Sequence, residues 1–332
     1  MEATLLHRPA TTAGRSTTLL AVTVTSVEPL GPDTRRYTLE PEDGNPLPAF
    51  EAGAHIDLHL PGALVRQYSL CNPPGEHHRY QIAVKREPAS RGGSRSVHDT
   101  LVPGTRLTVS APRNHFPLVR GAAHSLLFAG GIGITPLLSM AHQLRQDGSG
   151  FALHHFVRDD AHASFGDTLH TAFAGQGRQH LGLAPEAVTR LAAEAAAQAP
   201  AGTQAYLCGP AGFMEALRAT LAPLLGASAV HMEYFGAAPA PAGTGRFEVR
   251  LARSGRCFDI GENETIADVL HAAGVDVPTS CEQGVCGTCV TGVLGGEPEH
   301  HDLFLTDDEK ASGRLIALCV SRCRGARLEL DL

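Results

Sequence analysis

Three cysteines in nine residues, Cys281, Cys286 and Cys289, and a fourth at Cys319 place the strictest condition on this chain. The pattern C-x4-C-x2-C-x29-C is the plant-type spacing for a [2Fe–2S] cluster held by four thiolates. A loop that wraps a cluster must turn sharply and bring backbone close to sulfur. Gly284 and Gly287 suit it, because glycine takes positive φ without steric cost. Zinc sites usually pair two C-x2-C knuckles, and only one is present. A disulfide framework belongs to small secreted domains, which a 332-residue chain does not resemble.

That length suits two or three domains. The formal net charge of −7 argues against a nucleic-acid backbone as partner. Charge is unevenly spread: residues 246–332 hold nine Lys/Arg against fifteen Asp/Glu, leaving eighteen against nineteen elsewhere. The cluster-bearing end is therefore the acidic end, and a basic docking surface on a redox partner is expected. Met1–Thr18 lacks the apolar core of an export signal. The longest apolar run, Ser125–Ala141, is broken by glycines and Pro136, so no membrane span is expected. Eight cysteines, four of them apparent ligands, fit a reducing cytoplasm.

After a flexible leader, residues 1–17, short runs of period-two character follow one another: Leu20–Val27, Arg35–Leu39, His55–Leu60, Arg66–Leu70, Tyr80–Lys85 and Arg106–Ser110. Turn residues separate most of them, which predicts an antiparallel six-stranded β-barrel over 18–118. Within Arg66-Gln67-Tyr68-Ser69, alternation puts Arg66, Tyr68 and Leu70 on one face and Ser69 on the other. An arginine and an aromatic two apart suit a phosphate and a stacked ring. Arg91-Gly92-Gly93-Ser94 reads as a phosphate nest.

A different pattern covers 119–236. Ser125–Ala129 reads as a buried strand, Gly130-Gly131-Ile132-Gly133 as a loop, and Thr135 and Pro136 as the N-cap and first residue of a helix. Strand, glycine loop and helix N-terminus together suit a pyrophosphate, although the spacing departs from G-x-G-x-x-G. A second strand, Ala152–Val157, ends at Arg158-Asp159. An acid here suits the ribose 2′-hydroxyl of NADH, whereas Arg158 would suit the 2′-phosphate of NADPH; NADH is favoured. A later strand, Gln204–Leu207, delivers Cys208-Gly209-Pro210 to the ligand-binding end of an α/β sheet. A last strand, Val230–Phe235, precedes a Pro/Ala/Gly-rich linker at 237–245. Residues 246–332 then carry two strands, a helix at Ile266–Ala273 and the cluster loop.

Read together, these pieces resemble the phthalate dioxygenase reductase family over nearly the whole chain. The resemblance implies a flavin barrel, a Rossmann-like nicotinamide domain and a C-terminal β-grasp ferredoxin. It implies that Arg66 meets the flavin phosphate, Tyr68 packs on the isoalloxazine and Ser69 lies near N5. Gly92, Gly93 and Ser94 become the FMN phosphate loop, so FMN is expected over FAD. Lys85 becomes a candidate for stabilising reduced flavin. Gly131, Gly133, Thr135 and Pro136, with Cys208, Gly209 and Pro210, become the nicotinamide motifs. Phe235 becomes the aromatic beside the flavin, and Ser69, Cys208 and Phe235 shape hydride transfer. The implied partner is an oxygenase component, expected to be Rieske-type, served by a monomer. A P450 or carnitine-type oxygenase, and a redox sensor without turnover, are the rival readings.

Overall fold

The structure is a computed structural model that describes residues 18–62, 64–88, 92–235 and 245–332. The expected leader, Arg91 and all of the expected linker except Gly245 lie outside the described residues.

Strands β1 (Leu19–Pro29), β2 (Thr34–Pro41), β3 (His55–Leu60), β4 (Leu64–Ser69), β5 (Tyr80–Lys85) and β6 (Arg106–Ser110) form one antiparallel sheet, ordered β4-β3-β6-β1-β2-β5. A bridge between Leu70 and Ile82, and the Cys71 N–H donating to Gln81 C=O at 2.9 Å, join the two edges into a nearly closed barrel. Alternation fills it: Val22 and Val24, Tyr37 and Leu39, and Ile56 and Leu58 point inward in pairs two residues apart. Each such side chain removed from water contributes about 1.5–3 kcal/mol. The Gly-Gly-Ser turn opens a helix, α1 (Gly93–Thr100), which the sequence reading did not anticipate. Its polar residues hide the helical period; Val97 and His98 alone beyond Gly93 turn inward.

The middle of the chain forms a parallel sheet of β7 (Ser125–Gly130), β8 (Phe151–Val157), β9 (Gly177–Leu181), β10 (Gln204–Cys208) and β11 (Val230–Glu233), ordered β11-β10-β7-β8-β9. Helices α2 (Ile134–Gln146), α3 (Gly166–Thr171), α4 (Pro185–Gln198) and α5 (Ala211–Leu225) cover its faces. Strand β7 is buried throughout, as a central parallel strand must be. Its Leu127 and Ala129 pack with Leu137 and Met140 of α2, while Leu126 and Phe128 pack with Val188 of α4 and Leu217 of α5.

Two expectations are corrected here. Thr135 is not the N-cap: a 3-10 turn over Gly131–Gly133 runs straight into α2, so the cap is Gly133 and Thr135 is the second helical residue. Pro136 still falls in the first turn, where no intrahelical N–H bond is lost. The last strand stops at Glu233, leaving Tyr234 and Phe235 beyond it.

The C-terminal part has the β-grasp arrangement. Strands β12 (Phe247–Leu251), β13 (Cys257–Ile260), β14 (Val290–Gly295), β16 (Leu315–Ala317) and β18 (Arg327–Leu330) make one sheet, with β12 and β18 parallel. Ile266, Ala267 and Leu270 of α6 (Ile266–Ala272) pack with Phe247, Val249, Leu328 and Leu330. A small ribbon pairs β15 (Pro298–Glu299) with β17 (Arg322–Cys323). Helix α7 (Asp307–Ser312) is closed by a reciprocal Thr306–Glu309 capping box.

Candidate functional site

The cluster loop needs its glycines. Gly284 has φ 71° and Gly287 φ 73°. A Cβ on Gly284 would stand 2.6 Å from Val320 Cγ2, and one on Gly287 would stand 2.3 Å from the Phe304 ring. The four thiols are buried and fall into two pairs. Cys289 Sγ lies 3.2 Å from Cys319 Sγ, and Cys281 hydrogen-bonds to Cys286, which lowers the Cys286 thiol. Backbone N–H groups point at sulfur: Gln283 donates to Cys281 at 3.3 Å and Thr288 to Cys286 at 3.5 Å. No three His, Cys, Asp or Glu side chains among the described residues converge as a single ion would require. Two thiol pairs fit two irons with two thiolates each, which is the donor set of a [2Fe–2S] cluster.

On the barrel, one cavity of about 1070 Å³ is lined by all four of Arg66, Gln67, Tyr68 and Ser69, and by Lys85, Gly93 and Ser94. Simple alternation does not separate Ser69 from Arg66, because β4 ends at Ser69 and its last residues turn into the cavity. Gly93 lies tight against Arg66: an added Cβ would stand 2.6 Å from Arg66 Cγ. The two expected phosphate-binding segments are thus in contact. Gly92, at φ 91°, caps α1, and Ser94 Oγ accepts from the Glu87 N–H at 3.1 Å. Lys85 Nζ donates to Glu87 at 2.7 Å. The buried guanidinium, the glycine that leaves it room and the cavity beside them fit a flavin phosphate. The same cavity is lined by Cys281 and Cys319, so the barrel side and the cluster side share one space.

The expected nicotinamide motifs interlock. A Cβ on Gly133 would stand 2.2 Å from Cys208 O, and one on Gly209 would stand 2.9 Å from Gly130 Cα. Both loops line a second cavity of about 960 Å³, with Pro210, Arg158, His162 and Phe235. His155, one strand over, bonds Gly131 O through Nε2 at 2.9 Å and so braces the loop. Burial lowers this histidine to about 4, so it stays neutral near pH 7. Thr135 Oγ1 donates to Ile132 O at 3.2 Å. Asp159 does not line the cavity; its carboxylate accepts from the His162 ring at 2.6 Å. Arg158 Nη2 lies 2.6 Å from His162 Nε2.

Phe235 lines both cavities, at their junction. Cys208 is fully buried and lines neither. Burial, then the neighbouring Glu233, pushes its thiol well up. Glu233 is the site residue the sequence reading passed over. It pairs with Cys208 across β10 and β11, lines the first cavity and accepts from Ser69 Oγ at 3.5 Å. Burial raises its carboxyl to about 8. The available signal was an acid at the C-terminal end of a parallel strand, where ligands gather.

A barrel, a doubly wound sheet and a thiol-bearing β-grasp sheet around adjoining cavities define an iron–sulfur flavoprotein oxidoreductase. The model for the 2Fe-2S iron–sulfur cluster binding domain matches residues 249–324. Vanillate O-demethylase oxidoreductase of a Pseudomonas species is 48% identical over 87% of this chain and 92% of its own. The solved phthalate dioxygenase reductase, described as modular for electron transfer from pyridine nucleotides to [2Fe–2S], superposes with TM-score 0.79 at 40% identity, covering 95% of this chain and 98% of that one. An intact type IV self-sufficient cytochrome P450 monooxygenase matches with TM-score 0.76 at 34% identity, over 95% of this chain and 41% of that one. The chain belongs to the phthalate dioxygenase reductase family. The domain match gives the chain a [2Fe–2S] cluster.

Proposed function

We propose that this chain is the reductase component of an oxygenase system, taking electrons from NADH and handing them singly to a Rieske-type aromatic oxygenase or demethylase. The observation that carries this reading is the cavity lined at once by Arg66–Ser69 and by Cys281 and Cys319. FMN accepts an electron pair as hydride and the cluster carries single electrons, so the pair of cofactors matches a two-electron donor to one-electron acceptors.

The chain's own residues bind, orient and shield. Arg66, Gly92, Gly93 and Ser94 hold the flavin phosphate, and Tyr68 and Lys85 border the ring. Ser69 and Glu233 form a polar pair at the flavin side of the nicotinamide loops, and Phe235 stands where the two cavities meet. Gly131, Gly133, Thr135, Pro136, Gly209 and Pro210 shape the dinucleotide site, backed by Cys208, with Arg158 at its ribose end and Asp159 acting there through His162. Cys281, Cys286, Cys289 and Cys319 hold the cluster. The working units are 18–118, 119–236 and 246–332, in a cytoplasmic monomer. No helix among the described residues is long and apolar enough to cross a membrane.

The acidic α7, with Asp307, Asp308 and Glu309 in its first turn, supports docking to a basic partner. The match to the self-sufficient P450 favours a second acceptor, a P450 haem domain. Reconstitution with each class of oxygenase under NADH separates the two by coupled product formation. A chain ending at Phe235 is expected to keep ferricyanide reduction and lose cytochrome c reduction. Cytochrome c reduction by that shortened chain refutes the route through the cluster.

A further inference from the structure

We propose that Glu282 is a positioning residue that clamps the ferredoxin onto the barrel through Arg66, tying flavin occupancy to the placement of the cluster. The inference rests on the flavin reading of Arg66 given above. Glu282 directly follows the ligand Cys281 and has φ 54°, one of two non-glycine residues with positive φ among those described. Its Oε2 lies 2.9 Å from Arg66 Nη1, across the seam between the ferredoxin and the barrel. The Arg66 side chain is 8% exposed and that of Glu282 34%, so the pair is part-buried and salt still reaches it from the Glu282 side. The same Nη1 donates to Val65 O at 2.8 Å, which fixes the guanidinium plane on β4.

The stem and Nε of Arg66 also pack against Gly93, in the expected phosphate loop. A Cβ on Gly93 would stand 2.7 Å from Arg66 Nε. Guanidinium presents five N–H donors in a planar fork and can serve two anions on two edges. Arg66 is placed to bridge the flavin phosphate and the Glu282 carboxylate. Neighbouring contacts follow the same seam: Gln67 Nε2 donates to Ser280 Oγ at 3.3 Å, and the His115 ring meets Phe304 at 6.0 Å between centroids. These are polar or glancing contacts, and Arg66–Glu282 is the ion pair found across this seam among the described residues. Losing the carboxylate therefore loosens the cluster relative to the flavin without disturbing the nicotinamide side. By linkage, whatever docking gains from a bound flavin, flavin binding gains from docking.

The test uses the full-length holoprotein in anaerobic stopped flow with NADH. Each NADH delivers two electrons as hydride to the flavin, and the cluster takes them one at a time. In Glu282→Gln, flavin bleaching is expected at the wild-type rate within about twofold, and cluster bleaching about tenfold slower, inside the usual span of coupling between sites. Added salt should slow cluster bleaching in the wild type and leave the variant unaffected. Amide hydrogen exchange, independent of turnover, should rise in 64–69 and 280–285 and nowhere else in the ferredoxin. Glu282→Asp keeps the charge and should retain the salt response with a smaller slowing, which separates the ion pair from damage to the loop. Wild-type cluster bleaching in Glu282→Gln overturns the proposal. So does a slowed phase that keeps the wild-type salt response, since that marks a change in the cluster's own potential. If the wild type releases no flavin and NADH bleaches neither chromophore, the parent reading fails, while the exchange comparison still reports on the ion pair.

Discussion

The cluster site and the flavin–nicotinamide site are built in opposite ways. Three of four cluster ligands come from nine consecutive residues, and two glycines in the same loop make the room. The flavin–nicotinamide site draws on β4, the start of α1, the glycine loop after β7, and the ends of β10 and β11. A local site stands or falls with its own loop. An assembled site spreads its tolerance over segments that support one another. Substitutions should therefore be all-or-none in the first and graded in the second.

The largest effect should come from Cys286→Ser. Losing one thiolate of a pair should remove the cluster and its visible and electron-paramagnetic signals, while NADH still bleaches the flavin. A cluster retained with altered absorbance would show that the loop tolerates a substitute ligand. In the assembled site, Arg66→Ala should weaken FMN binding by about 10–100-fold, the value of a hydrogen bond to a charged group. Fluorescence titration of flavin-stripped protein measures it directly.

Gly133→Ala comes next. Its Cβ would overlap the Cys208 carbonyl, and neither backbone can swing aside. Overpacking of this kind costs about 1–3 kcal/mol. Urea unfolding and a raised KM for NADH should register it together.

The last expectation is a pH slope, read in stability alone. Glu233 is raised from 4.5 to about 8 in the folded protein. Between those values the folded chain holds a proton that the unfolded chain has released, so stability falls as pH rises and then levels off. Glu233→Gln should remove that slope, and its melting temperature should gain on the wild type from about pH 5 to about pH 8. Parallel melting curves across that range would show that Glu233 is not held protonated.

Legibility in the sequence follows the same division. Cys281, Cys286, Cys289 and Cys319 are readable because a cluster fixes ligand spacing along the chain. The barrel strands and β7 are readable because burial imposes period two on the barrel and a continuous apolar run on β7. Strand β9 is not: its Arg178, Gln179 and His180 sit on a sheet edge where burial imposes no pattern. Helix α1 hides for a related reason, since it buries little beyond Val97 and His98. Glu233 escapes because its one local mark, an acid at the end of a parallel strand, does not say which cavity it faces. Its meaning comes from Ser69, which is 164 residues away and 3.5 Å distant.

The contact between Gly130 and Gly209 makes the two nicotinamide loops a single part. Neither can accept a side chain without displacing the other, so selection has almost no freedom to remodel the middle of the dinucleotide site. The outer end is different: Arg158 is 74% exposed and Asp159 48% exposed in side chain, held, among the described residues, by each other and His162. A lineage of such proteins changing its nucleotide preference would have to rewrite that rim and leave the glycines alone.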